Sequence, residues 1–215
     1  MTNIFLAMAA LGHILCGICD CLLTYTPNGR FHAADLSDND KMAALFDGMP
    51  LRRPVISTLL GCLALAMCFI GYAALAVYFL PAFPFAPDGS VVYGYIMLLS
   101  AVLYFFFGTA HHVICGAIEW FYVKLGRTED ARNAIVEFFK KTSLTMIVCY
   151  LGTAVYCVTL FLALLNSGVM PLWACFINTI PIFVILSLLE LPGAGNWAGA
   201  IMCGALSVLL TVMVL

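Results

Sequence analysis

Four ionisable residues inside apolar stretches of the sequence are the first candidates for chemistry. They form two pairs, His13 with Asp20 and His112 with Glu119, and the members of each pair are seven residues apart. Seven residues make two turns of an α-helix, so both members of a pair lie on one helical face. A histidine beside a carboxylate can take up and release a proton near neutral pH. We therefore treat these four residues as candidate catalytic groups for acid–base chemistry.

Three further polar residues could complete a binding site around these pairs. His111 adjoins one of the candidate histidines, whereas Asn178 and Glu190 lie in a later apolar stretch. Pro181, in that later stretch, cannot donate a helical hydrogen bond, so we expect a local break in the helix there. We predict that His111, Asn178 and Glu190 bind a substrate, and that the break shapes the wall of the pocket.

The ten cysteines of the chain are a second possible source of chemistry. Cys16, Cys19 and Cys21 form a C-x-x-C-x-C pattern, and the others are scattered through the later apolar stretches. A free cysteine packs like a small hydrophobic residue, and we predict this role for the set. His13 and Cys16 are too short a motif for zinc, which takes four ligands. We therefore assign no metal site and leave the cofactor unknown.

The elements that must position these residues are membrane-spanning helices. The sequence is 64% hydrophobic and 9% charged, whereas soluble domains carry about 25% charged residues. A helix that crosses a bilayer needs about 20 apolar residues. We predict a single all-α domain, residues 1–215, in which six transmembrane helices form a polytopic bundle. The predicted helices are Asn3–Tyr25, Pro54–Leu80, Val91–Leu125, Ser143–Asn166, Val169–Leu191 and Asn196–Leu215.

The basic residues predict how this bundle is oriented. All nine Lys and Arg residues fall in or beside two connections, residues 26–53 and 126–142. Connections rich in Lys and Arg stay on the cytoplasmic side, so six crossings place both termini outside the cytoplasm. Helical rise then places His13 and His112 near the middle of the membrane, and Asp20 and Glu119 nearer the cytoplasm. If the two polar faces meet, they line a pocket that opens toward the cytoplasm.

Each of these two connections contains a predicted helix. In the first, Asp38 or Asp40 can cap a short helix whose apolar face includes Met42 and Phe46. This apolar face favours a position at the membrane surface. In the second connection, Thr128 can cap a helix that has two acidic residues in its first turn.

The pocket leads to a functional prediction. We expect it to bind a small apolar molecule or a lipid, with histidine–carboxylate acid–base chemistry as an added activity. The sequence contains no G-x-S-x-G, H-E-x-x-H or nucleotide-binding loop, which excludes the enzyme classes that these motifs mark. Membrane lipids and a small apolar ligand are the expected partners, and nucleic acid is not. Whether the protein is an enzyme, and its oligomeric state, stay open.

Three alternatives use the same residues differently. In a proton-coupled transporter, Asp20, His13 and His112 would relay protons, which requires a polar lining that continues to the outer face. In a haem protein, His13 and either His111 or His112 would ligate the iron from two helices. In a purely structural bundle, the histidine–acid pairs would link helices without any ligand.

Two motifs in the first third of the chain carry a family resemblance. An aspartate followed by two leucines and a tyrosine closes the first predicted helix, and a Met-Pro-Leu-Arg stretch precedes the second. In these motifs the chain resembles an uncharacterised family of small bacterial multi-pass membrane proteins, although Cys19 stands where a glycine is expected. The resemblance implies a bacterial inner-membrane location and brings no known activity. The matching residues are Asp20, Leu22, Leu23, Tyr25, Met49, Pro50, Leu51 and Arg52.

Overall fold

Long apolar helices dominate the structure, a computed structural model that describes residues 1–80, 91–167 and 170–214. Five helices in these ranges are long and apolar enough to cross a membrane, which confirms an all-α membrane bundle. Residues 81–90 and the predicted end points Val169 and Leu215 lie outside the described residues. The five helices are α1 (Thr2–Thr24), α3 (Arg52–Tyr78), α4 (Val91–Lys124), α6 (Leu144–Ser167) and α8 (Ala194–Val214).

The predicted helix Val169–Leu191 is wrong as one continuous helix. Its described part forms a short 3₁₀ helix, Leu172–Phe176, followed by the ten-residue helix α7 (Thr179–Leu188). At 1.5 Å per residue α7 is about 15 Å long, half of the roughly 30 Å hydrocarbon core. Pro181 has no N–H, and Asn178 instead caps the start of α7 by accepting the Ile180 N–H at 3.2 Å. The break expected near Pro181 is therefore confirmed.

The two basic connections fold onto one end of the bundle, which we call the charged end. The first contains a hairpin of β1 (Tyr25–Thr26) and β2 (Gly29–Arg30), a 3₁₀ helix (Ala33–Ser37) and α2 (Asn39–Leu45). The second contains α5 (Glu129–Lys141). Both predicted caps are confirmed, because the side chain of Asp38 accepts the Lys41 N–H at 3.0 Å and that of Thr128 accepts the Ala131 N–H at 3.2 Å.

The helices form a ring around a packed interior. α3 packs between α1 and α4, α8 packs on α1, and α6 packs on α4. α7 packs mainly on α8 and lies between α8 and α6 in the ring. The larger apolar cluster fills the half of the ring away from the charged end, and it includes Leu6, Tyr72, Met97, Tyr156 and Leu206. A second cluster packs α2 and α5 against the end of α4.

Arg53 fixes the end of α1 against the start of α3. Its Nε donates to the carbonyl oxygen of Leu22 at 2.8 Å, and its Nη2 donates to the carbonyl oxygen of Tyr25. The last carbonyl groups of a helix have no partner within the helix, and a cation is favoured beside them. This arginine therefore holds the segment of α1 that carries Asp20 in a defined position.

Asp35 holds the first connection together at the charged end. Its carboxylate lies 2.6 Å from Lys41 Nζ and accepts the His32 N–H at 2.8 Å, and the residue is 4% exposed. The Lys41 ammonium, together with the His32 N–H, holds the pKa of Asp35 below its usual range. The Asp35 carboxylate in turn raises the pKa of Lys41.

The Asp35 contacts predict acid-sensitive packing of this connection. A carboxyl whose pKa is depressed in the folded protein stabilises it above the ordinary carboxyl pKa of about 3.9. That contribution is lost as the pH falls through the lower folded value. We expect Asp35→Asn to reduce amide hydrogen-exchange protection across residues 33–46 at pH 7, to the level of the wild type in acid. Asp40→Asn, an exposed acid in the same segment, is the control. Equal protection of Asp35→Asn and wild type at pH 7 would contradict this role.

Candidate functional site

Asp20 of α1 and His112 of α4 come together inside the ring. His112 Nδ1 lies 3.6 Å from Asp20 Oδ1, and the His112 side chain is 8% exposed. The other ring nitrogen, Nε2, lies 3.2 Å from the carbonyl oxygen of Ser57 in α3. A carbonyl oxygen only accepts hydrogen bonds, so Nε2 carries the proton of a neutral ring. Nδ1 is then the nitrogen that faces Asp20.

Asn196 of α8 links Asp20 to His13. Its Nδ2 donates to Asp20 Oδ2 at 2.8 Å, and its Oδ1 lies 3.1 Å from His13 Nδ1. His13 Nε2 lies 3.1 Å from the hydroxyl oxygen of Tyr72. His13 is fully buried, and both of its ring nitrogens have protein partners. These partners disfavour haem ligation by His13, because both nitrogens that could bind the iron are already engaged.

Sequence reasoning missed Asn196, which joins the two candidate residues of α1. It is uncharged and lies near the start of the last apolar helix, so it stands out less than an ionisable residue in an apolar stretch. A polar side chain inside an otherwise apolar segment usually faces the bundle interior, and this was the available signal.

Three glycines make room for these polar side chains. In each case a Cβ atom would occupy space that a polar group of another helix now fills. Close approach of this kind is available only to glycine, because it has no side chain. At Gly61 the Cβ would overlap the ring of His112, at Gly199 it would lie 2.5 Å from His13 Nε2, and at Gly193 it would lie 2.6 Å from Asp20 Oδ2.

A cavity of about 440 Å³ opens beside Asp20 and His112, in the half of the ring nearer the charged end. Its polar side also includes His111, Glu119 and Asn196. Its apolar wall comes from six different parts of the chain, so the cavity lies between several helices and not within one pair. The apolar wall includes Leu65 of α3, Ile118 of α4, Phe139 of α5, Met146 of α6, Phe183 of α7 and Leu36 of the first connection.

Glu119 is a buried carboxyl group in the wall of this cavity. The residue is 5% exposed, and its Oε2 atom has no hydrogen-bond partner in the described ranges of the chain. A buried polar atom without a partner costs about 1–3 kcal/mol. A ligand that supplied a partner to Glu119 would remove this cost.

The other predicted site residues are divided between the cavity wall and the rest of the bundle. His111 lines the cavity, and its Nε2 lies 3.6 Å from Cys115 Sγ. Asn178 lies outside it, where its Nδ2 donates to the carbonyl oxygen of Cys157 at 2.8 Å. Glu190 is exposed at the end of α7, 3.9 Å from Arg30 Nη1. These contacts place Asn178 and Glu190 away from the cavity.

All ten cysteines are free thiols, and one of them, Cys16, belongs to this site. The residue is 2% exposed and lines the cavity. Its Sγ, a carboxylate oxygen of Asp20 and a ring nitrogen of His112 all lie within 4.8 Å of one another. Within the described ranges these three residues are the group that could hold a metal ion.

The fold and this cluster define a class: a helical membrane protein with a buried polar site at one end of its bundle. The chain belongs to a family of unknown function, DUF6796, which matches it over residues 1–215. The resemblance to an uncharacterised family is therefore confirmed. No curated protein and no solved structure matches the chain.

The close contact between Gly61 and the His112 ring predicts a strong effect from one added methyl group. Gly61→Ala should push the His112 ring away from Asp20 and lower the unfolding temperature, because overpacking a dense core costs about 1–3 kcal/mol. Gly204→Ala in α8 is the matched control, since its Cβ would find its nearest neighbour, Ala10 Cβ, at 3.9 Å. Thermal unfolding of both variants in the same detergent measures the difference. Equal unfolding temperatures for the two variants would contradict the proposed packing.

Proposed function

We propose that the cavity binds a small apolar molecule or a single lipid chain, whose polar end contacts Asp20, His112 and Glu119. Glu119 Oε2 has no hydrogen-bond partner among the residues that the structure describes, and it is buried beside a mostly apolar wall. This observation carries the proposal. Ligand pockets typically enclose about 300–1,000 Å³ and combine apolar walls with a few convergent polar groups. The volume of about 440 Å³ and the mixed lining fit this description.

A lateral path from the lipid phase supports an apolar ligand. Tyr150 of α6 and Phe183 of α7 both line the cavity, and they are 62% and 39% exposed. α7 packs mainly on α8 and has little contact with α6. The ligand therefore enters between α6 and α7 without passing through water.

The charged end faces the cytoplasm in this proposal. Basic connections favour that side, and the family resemblance favours a bacterial inner membrane. The 3₁₀ helix Leu172–Phe176 and α7 together then make one broken crossing, which brings the number of crossings to six, and both termini lie outside the cytoplasm. The ligand comes from the cytoplasmic leaflet of the cell membrane.

Acid–base chemistry is the catalytic form of this proposal. Asp20 and His112 lie 3.6 Å apart at the cavity wall, and Glu119 lies two helical turns from His112 on α4, in the same wall. A histidine and two carboxyl groups can move a proton to or from a bound molecule. Proton-coupled transport and a purely structural bundle are the two outcomes against which the following experiments test it.

Photo-cross-linking tests occupancy of the cavity. A fatty acid with a diazirine near the end of its chain is added to the full-length protein in lipid nanodiscs and activated by light. We expect the labelled residues to include Leu65 and Ile118, which line the cavity and are each only 5% exposed. Cys149→Trp should reduce this labelling, because the indole would fill part of the cavity that Cys149 lines.

Leu63→Trp is the control for this experiment, because Leu63 is 56% exposed on the outside of α3. The same indole at that position should leave cavity labelling unchanged. Labelling that is confined to the outer surface, or that is equal in both tryptophan variants, would rule out the cavity as a binding site.

Substitution of the polar end separates binding from folding. We expect Asp20→Asn and His112→Ala to lower fatty-acid labelling of the cavity more than they lower the unfolding temperature. Asp20→Asn retains an oxygen that can accept the Asn196 hydrogen bond, which limits its structural effect. If labelling and unfolding temperature fall in proportion in every variant, the polar cluster is structural only. Proton uptake coupled to substrate flux in proteoliposomes would instead favour transport.

A further inference from the structure

We infer that Cys16, Asp20 and His112 form a binding site for a divalent transition-metal ion of the zinc type. Their ligand atoms, one sulfur, one oxygen and one nitrogen, lie within 4.8 Å of one another inside the ring. Cys16 and Asp20 are four residues apart on α1, so they lie side by side on one helical face. His112 reaches them from α4, and its ring packs directly against Gly61 of α3, which has no side chain in the way.

The hydrogen bond of His112 prepares its other nitrogen for a metal. Nε2 donates to the carbonyl oxygen of Ser57 at 3.2 Å, which leaves the Nδ1 lone pair of the neutral ring directed toward Asp20. A metal-bound histidine nearly always donates its second N–H to a carbonyl or carboxylate oxygen, and this bond fixes the ring orientation. The Ser57 carbonyl supplies that contact here.

Asp20 is prepared in the same way. Asn196 donates to Oδ2 at 2.8 Å, and Oδ1 is the oxygen that lies 3.6 Å from His112 Nδ1. Two such ligands of a tetrahedral zinc ion, each at about 2.1 Å, are about 3.4 Å apart. When the imidazole is neutral and no cation is bound, His112 Nδ1 and Asp20 Oδ1 are both hydrogen-bond acceptors that face each other.

The chemistry of the three ligands selects the class of ion. Thiolate, imidazole and carboxylate together suit zinc and its neighbours, whereas calcium and magnesium take oxygen ligands. With a zinc–sulfur bond of about 2.3 Å, the sulfur has to move by on the order of 1 Å to reach full coordination. Cys16 must lose its proton on binding, because the thiolate is the ligand.

Three protein ligands leave a fourth position, which lies at the cavity. Zinc sites with three protein ligands and one open position are typical of catalysis, and closed four-ligand sites are structural. Glu119, with its unpartnered Oε2, lies in the same cavity wall. The ion site is independent of the proposed fatty-acid binding, since the three ligands need no organic molecule to hold the ion.

Metal analysis of the full-length protein, purified in detergent without chelator and dialysed against zinc, tests the site directly. We expect about one zinc ion per chain by mass spectrometry of the metal. Cobalt exchanged into the site should give visible d–d bands and a near-ultraviolet thiolate-to-cobalt band. His112→Gln and Asp20→Asn should each lose the bound ion on dialysis, and Asn196→Ala should weaken binding by about 10–100-fold.

Two cysteine variants identify the sulfur ligand. Cys16→Ser should abolish the thiolate-to-cobalt band, while Cys149→Ser, a cavity cysteine outside the cluster, should retain it. A wild-type protein that holds no more zinc than the His112→Gln variant overturns the inference, as does a band that survives Cys16→Ser. In that event Asp20 and a protonated His112 form a simple ion pair. Zinc binding without fatty-acid labelling would contradict only the proposed function. Fatty-acid labelling without zinc binding would contradict only this inference.

Discussion

The arrangement of the bundle depends on one constraint: polar side chains inside an apolar interior must find partners there. Asp20 is the centre of the solution, because it contacts Asn196 of α8 and His112 of α4. Asn196 extends the network to His13, which in turn reaches Tyr72 of α3. Four of the five long helices thus share a single polar cluster. Unpaired polar groups cost far more in this setting than in water, so the cluster restricts how these helices can be arranged.

Sequence alone predicted the long helices well and the short one poorly. Continuous runs of about 20 apolar residues leave little choice of structure in a membrane, and five such runs match helices in the structure. The stretch around Pro181 has the same composition, so hydropathy merges its 3₁₀ helix and α7 into one span. Pro181 is the local signal of the break, and a break at this position also limits the length of the helix that follows it.

For the site, spacing identified the correct helical faces but not the partners. The seven-residue intervals place His13 with Asp20, yet the contacts run between helices, from His13 to Asn196 and from His112 to Asp20. Periodicity within one helix carries no information on which residue of another helix lies opposite. For the same reason, the sequence pairs Cys16 with His13 on one helix as a candidate metal motif and does not reveal its proximity to His112. The involvement of the candidate residues in catalysis stays a prediction.

The contact between Arg53 and the end of α1 has a mechanical consequence. The guanidinium group belongs to the start of α3 but binds the Leu22 carbonyl oxygen of α1 and the Tyr25 carbonyl oxygen just after it, so the two helices share one depth at the charged end. A bilayer that becomes thinner or thicker would then displace both helices as a unit. Because Asp20 lies just before this junction and the His112 ring packs against Gly61 of α3, we expect the geometry of the cluster to change little with lipid composition.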